Sequence, residues 1–202
     1  MAYTTVADVR SFSAGDDVAS AAVFPDAVVQ AGIDYATELI DDWCATSFEA
    51  KSFTATMDGT GTDRILLADA VTGRPILFPR SITSATVDGT AVADTSGWVL
   101  HPDGLVVRDA GTFPVSTQGR NVTIVGTAGV TTTVPADIKL AAEMIARDYV
   151  LSTADRVHER ALQITDDVGV QVFAQPGKHG PTGIPRVNEI LRRRRVAVPV
   201  IG

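Results

Sequence analysis

The chain has 202 residues, 45% hydrophobic and 20% charged, which is the balance of a globular protein able to bury a real core. Seventeen basic residues against 24 acidic ones leave a net charge of -7, which argues against generic binding to nucleic acid or anionic membranes, since both need surplus Lys and Arg. The single cysteine, Cys44, excludes an internal disulfide and a cysteine-based zinc site.

The first five residues carry neither a basic region nor an apolar run, and no later stretch approaches the ~20 apolar residues of a spanning helix. The protein is therefore expected to be made and used without export and without a membrane. Thr5 and Asp8 have the spacing of a capping box with Asp in place of Glu, which predicts a short helix over residues 6–12. The shape of residues 13–22, which include Gly15, Asp16 and Asp17, is not readable.

Residues 25–48 carry the longest helical period in the chain. Val29, Ile33, Ala36, Ile40 and Trp43 recur at steps of four and three and form one apolar stripe, opposite Gln30, Asp34, Glu38 and Asp41. Pro25 suits the first helical position, and Asp26 places negative charge at the positive end of the helix dipole. Cys44, on this helix, reads as a buried small hydrophobe.

From Ser52 the period changes to two. Residues 52–57 read as a strand, Asp58-Gly59-Thr60-Gly61 as a tight reversal, and residues 64–67 as the returning strand. Pro75 and Pro79 bound an extended connector. A strand over residues 82–87 meets the turn Asp88-Gly89, and residues 98–101 and 105–108 flank Pro102-Asp103-Gly104 as the clearest hairpin. Residues 121–125 complete a small antiparallel sheet or barrel. Asn121-Val122-Thr123 fits a glycosylation sequon but reads simply as strand.

Pro135 opens a second strong helix. Ile138, Ala141, Ala142, Ile145 and Tyr149 form one apolar stripe, Leu140, Met144 and Leu151 a second, and Lys139, Glu143 and Arg147 a solvated face. Residues 162–172 alternate around Asp166-Asp167 as a hairpin, and residues 175–183 read as a glycine- and proline-rich linker. A last helix over residues 185–195 carries Val187, Ile190 and Leu191 on one face and ends in four arginines, before an apolar tail.

No catalytic or cofactor-binding constellation emerges. The Asp58 to Asp63 loop lacks the helix start of a phosphate cradle and the distant Glu of an EF-hand. His101, His158 and His179 lack metal-ligand spacing, and His158 with Asp155, Glu159 and Asp166 is the one acidic cluster near a histidine. The expected fold is α+β: a small helical bundle with an inserted antiparallel β-sheet or barrel subdomain and an extended C-terminal assembly tail. The expected domains are residues 1–50 and 134–155 for the bundle, 51–133 for the insertion, and 156–202 for hairpin, linker and docking helix. Ile33, Ile40, Trp43, Ile145 and Tyr149 are the expected core.

The order of these features resembles the head-to-tail connector, or adaptor, proteins of long-tailed bacteriophages. The resembling text runs from Thr5-Val6-Ala7-Asp8-Val9 through Ile40-Asp41-Asp42-Trp43-Cys44 with Phe48 and Asp58-Gly59-Thr60-Gly61. It continues through Val107-Arg108 with Gly111 and Pro114, Asn121-Val122-Thr123-Ile124 with Ala128-Gly129, and Pro135-Ala136-Asp137-Ile138, and closes on the residue 166–172 hairpin and Ile190-Leu191 with its arginines. The resemblance implies a structural virion protein at the head-tail junction, assembled in the host cytoplasm, without catalysis, cofactor or metal. It implies a ring of copies, typically dodecameric, beneath the portal protein, with a head-closure or tail-side connector protein below and genomic DNA passing through without tight binding. Portal or neighbour docking is expected of Val187, Ile190, Leu191, Arg192, Arg193, Arg194 and Arg195, so truncation after Gly183 should leave a folded protein unable to join heads. Two other readings are a β-rich module binding a glycan or virion protein through Trp98 and His101, and a metal-dependent hydrolase built on His158, Asp155 and Asp166.

Overall fold

A computed structural model of the protein describes residues 2–117, 119–154, 163–166, 169–172 and 181–196. The chain folds as two units, the first made of residues 1–45 and 134–196 and the second centred on residues 46–133.

The first unit is helical. Helix α1 (Val6–Phe12) begins where Thr5 accepts the Asp8 amide and the Asp8 carboxylate returns to the Thr5 backbone. Asp16 then caps a single 3-10 turn, Asp17–Ala19, in the stretch that the sequence left unread. Helix α2 (Asp26–Cys44) takes Pro25 as its N-cap, one place earlier than expected, and ends on Ala45 in the left-handed region. Val29, Ile33, Ala36 and Ile40 are fully buried along it, the valine and the isoleucines each contributing about 1.5–3 kcal/mol relative to exposure.

Trp43 departs from the expected core. It is half-buried, and Cys44, four residues beyond Ile40, takes the buried slot at 0% exposure. Step four from Ile40 keeps closer to the stripe's centre line than step three, so the small thiol goes inward and the indole lies at the edge.

Helix α3 (Ala136–Ala154) packs on α2. Ile138, Ala141, Ala142, Ile145, Ala146 and Val150 are buried. Tyr149 is only half-buried because it lies across Tyr35 of α2, with ring centroids 5.2 Å apart. The face expected to be solvated instead fastens the N-terminal segment. Lys139 pairs with Asp8 at 2.9 Å, Arg147 with Asp16 at 2.6 Å, and Glu143 accepts the Thr4 hydroxyl at 3.4 Å.

Helix α4 (Pro185–Arg194) closes the unit against α2 and α3. Thr182 anchors its start: the Thr182 amide and hydroxyl donate to Asn188 Oδ1 at 3.0 and 2.8 Å, and Asn188 Nδ2 donates back to the Thr182 carbonyl at 2.7 Å. Val187 and Leu191 are 0% exposed, which corrects the expectation that they form a free docking face. The unit covers this apolar surface itself, and truncation after Gly183 would remove two core side chains. The expected hairpin is present as β8 (Gln163–Asp166) paired antiparallel with β9 (Gly169–Val172).

The second unit is built of β1 (Lys51–Met57), β2 (Arg64–Leu66), β3 (Pro79–Val87), β4 (Thr90–Ala91), β5 (Val99–Leu100), β6 (Leu105–Val107) and β7 (Val122–Ala128). They form two antiparallel sheets, ordered β1-β7-β3-β4 and β2-β6-β5. One apolar cluster draws on both, with Ala55, Ala85, Val122 and Ile124 from the first sheet and Ile65 and Val106 from the second. Alternate residues of β7 are buried from end to end, as befits its central place. Asp88 and Gly89, both at positive φ, make the tight turn between β3 and β4 that the sequence predicts.

The Asp58 to Gly61 loop is not a hairpin turn, since β1 pairs with β7 and β2 with β6. It carries the chain from one sheet to the other. A Cβ on Gly59 would stand 1.9 Å from the Pro114 carbonyl oxygen, so this glycine is required by close approach of two backbones.

Candidate functional site

The end of α4 gathers the chain's densest charge. The four arginines follow Leu191, whose burial fixes the helix's rotation, and leave the last turn where the helix dipole favours cations. Arg193 pairs with Glu189 one turn back. Arg194 binds Asp137 in the first turn of α3 at 2.8 Å. Arg195 holds its guanidinium 5.2 Å from the centroid of the Trp43 ring, within cation–π range. The Val196 amide donates to the Cys44 carbonyl at 3.2 Å. Arg192 is exposed and forms no ion pair with a described residue.

These contacts divide the residues expected to dock. Val187 and Leu191 belong to the core, Arg194 and Arg195 seat α4 on its own unit, Ile190 is half-buried at the edge, and Arg192 is exposed. The Cys44 thiol donates to the Leu191 carbonyl at 3.8 Å. Burial first, and then the Asp41 charge, push its pKa up to about 12 against the opposing pull of Arg195. Such a thiol is a packing group with no thiolate at neutral pH.

In the β unit the use of Asn121 goes beyond its reading as a simple strand residue. Its Oδ1 accepts the Gly59 amide at 2.8 Å, and its Nδ2 donates to Asp88 at 2.9 Å and to the Pro114 carbonyl at 2.8 Å. One side chain thus ties three loops at one end of the sheet, with its amide nitrogen already engaged. Only a strand-edge Asn beside two Asp-Gly turns could have signalled it.

The other readings find less support. Trp98 is 8% exposed and packs edge-on against Phe113 at 5.4 Å with Arg108 5.3 Å from each ring. It is a core residue, and no binding tip forms with the exposed His101. An open groove of about 400 Å³ beside it is lined by Ile82, Ala93, Asp94, Thr95, Ser96 and Leu100. Asp155, His158, Glu159 and His179 lie outside the described residues. Among the described residues no three His, Cys, Asp or Glu come together to hold a metal, and no helix is long and apolar enough to cross a membrane.

The model of a protein family described as head completion protein matches residues 3–155. No curated protein matches the chain. Among solved structures, the chain is similar to one from the neck of an empty GTA particle computed with C6 symmetry, with a TM-score of 0.64 and 22% identity over 98% of this chain and 91% of that one. It is also similar to one from the neck of a native GTA particle computed with C12 symmetry, with a TM-score of 0.61 and 20% identity over 98% and 90%. A third is from the virion of a native gene transfer agent (GTA) particle, with a TM-score of 0.62 and 22% identity over 98% and 91%. At these identities the likeness establishes the fold.

Proposed function

The chain belongs to the head completion protein family and is a structural connector of the head-to-tail junction, and from that premise we propose that its copies close into a ring beneath the portal. In this reading the ring joins the filled head to the tail-side connector and lines part of the channel through which the genome leaves. The observation that carries the reading is the family match across residues 3–155, which takes in α1, α2, the whole β unit and α3. Necks computed with sixfold and twelvefold symmetry contain chains of this fold, which supports a ring and favours twelve copies.

The physical chemistry of the chain suits such a part. A net charge of -7 lets duplex DNA pass without the counterion release that would hold it. The seated α4 offers Ile190 and Arg192 outward, and the portal or an adjacent copy is the surface they would meet, with charge setting orientation. No step of bond chemistry is assigned.

Complementation tests the reading. Heads filled in the absence of this chain should carry DNA but no tails, and adding the purified full-length protein should restore tail joining. Heads that accept tails equally well without it would overturn the proposal.

A further inference from the structure

The outward face of α2 holds an aromatic and acidic patch that its own unit, among the described residues, leaves exposed. Tyr35 is 46% exposed although its ring lies against Tyr149. On a helix, Glu38 sits one turn from both Tyr35 and Asp34, and Glu38 and Asp34 are both exposed. Among the described residues Asp34 accepts only the Gln30 side chain one turn away, at 2.9 Å. Burying that much tyrosine surface beside two carboxylates suits a planar cation, which can stack on the ring and pair with the acids. The unit uses half of this chemistry internally, where Arg195 lies over Trp43.

Arg192, in the densest run of positive charge, offers a complementary group. It is exposed and without an ion pair among the described residues, while its neighbours Arg193, Arg194 and Arg195 are engaged. The end of α4 on which it stands is seated away from Tyr35 of its own chain. Arg194 is fixed to Asp137 at the start of α3, and Tyr149, which marks the patch, is twelve residues further along that helix, about 18 Å at 1.5 Å per residue. Two complementary sites at separate places on one molecule make a head-to-tail contact, which generates a ring when its rotation closes.

Resting on the ring reading above, we infer that Arg192 of each copy docks on the Tyr35–Glu38–Asp34 patch of the next copy. The occupant is a second copy of this chain. The contact joins a guanidinium to a tyrosine face and two carboxylates.

The test uses the full chain on assembled particles. With Ala31→Cys and Glu189→Cys in one chain, each exposed and one turn from a contact residue so that Tyr35 and Arg192 stay in place, a short bismaleimide should bridge neighbours into a ladder of oligomers, since two long side chains hold the backbones farther apart than a disulfide spans. Each variant with one added cysteine should stay uncrosslinked, because Cys44 is buried. A doubly substituted chain that is present on particles but stays uncrosslinked overturns this pairing and leaves the connector reading standing. Wild-type chain missing from the particles overturns the connector reading itself. Charge exchange guards against a misfolded variant. Glu38→Arg alone and Arg192→Glu alone should each lower the copies per particle about tenfold, and the two together should restore them, as expected of a complementary pair. A double variant no better than either single, or single variants at wild-type occupancy, overturns the pairing.

Discussion

Gly32 of α2 lies so close to α3 that a Cβ on it would stand 2.9 Å from the Ala146 carbonyl oxygen and 3.2 Å from Tyr149 Cδ1. The two long helices of the first unit therefore meet backbone to backbone, with Tyr149 laid over the gap that the missing side chain leaves.

Gly32→Val is accordingly expected to destabilise the protein by roughly 1–3 kcal/mol, the usual cost of forcing bulk into a packed contact. Gly32→Ala should fall below that, because alanine regains about 1 kcal/mol of helix propensity. Urea unfolding measures both, and a stabilised valine variant would show that the helices do not touch here.

Ile145→Ala and Leu191→Ala should each cost about 2–5 kcal/mol through the cavity left behind. Ile145 is 4% exposed and Leu191 0%. The Leu191 result separates two roles for α4. A loss under about half a kcal/mol would return that helix to the free docking face expected from the sequence, since exposed sites shift stability by no more than that.

Titration of the thiol gives a sign as well as a size. The Cys44 pKa in the folded chain is pushed up to about 12 from an ordinary 9.0, mainly by burial. Its contribution to stability is thus whole below pH 9.0 and is lost as pH rises toward 12. Ellman's reagent at pH 8 should find no reactive thiol in native protein and one per chain in denaturant. Rapid native reaction would place the sulfur at the surface.

Acid acts on the other side. The Asp8 carboxyl is held below its ordinary 3.8 by the hydrogen bond from Lys139 and then by Thr5, so its contribution is present above that pH and is lost as pH falls through the depressed value. Thr5→Ala should remove the cap of α1 at a cost of about 0.5–2 kcal/mol. Proteolysis near the N-terminus should rise in that variant at pH 7, and an unchanged cleavage rate would argue that the capping box does not hold α1.

How much of this was legible in the sequence follows from the range of the interactions. The period of Val29, Ile33, Ala36 and Ile40, the Thr5–Asp8 box and the Asp88-Gly89 turn are local, and each stands where the residues place it. Strand partners were not legible. Residues 52–57 and 64–67 read as neighbours, yet β7 from the far end of the unit lies beside β1, because pairing is decided by burial across the whole sheet and by contacts distant in the chain. The same limit hid the use of Lys139 and Arg147, whose partners Asp8 and Asp16 lie more than a hundred residues away. At the end of α4 the four arginines were conspicuous as a run. The division of Arg193, Arg194 and Arg195 between Glu189, Asp137 and the Trp43 ring depends on how α4 seats, which the burial of Val187 and Leu191 decides.

Weak DNA binding is a further consequence of the proposed channel. With a net charge of -7, the protein should bind duplex DNA no more tightly than the 10⁻⁴–10⁻⁶ M of non-specific contacts at physiological salt. Submicromolar affinity in a filter-binding assay would contradict a channel surface past which DNA slides.

Electron cryo-microscopy of purified virions tests the central claim most directly, by asking where this chain sits. The account predicts a ring of density between head and tail into which the helical unit and the β unit both fit, and which is missing from particles made without the chain. Neck density that is unchanged in those particles, or that accommodates neither unit, would contradict it.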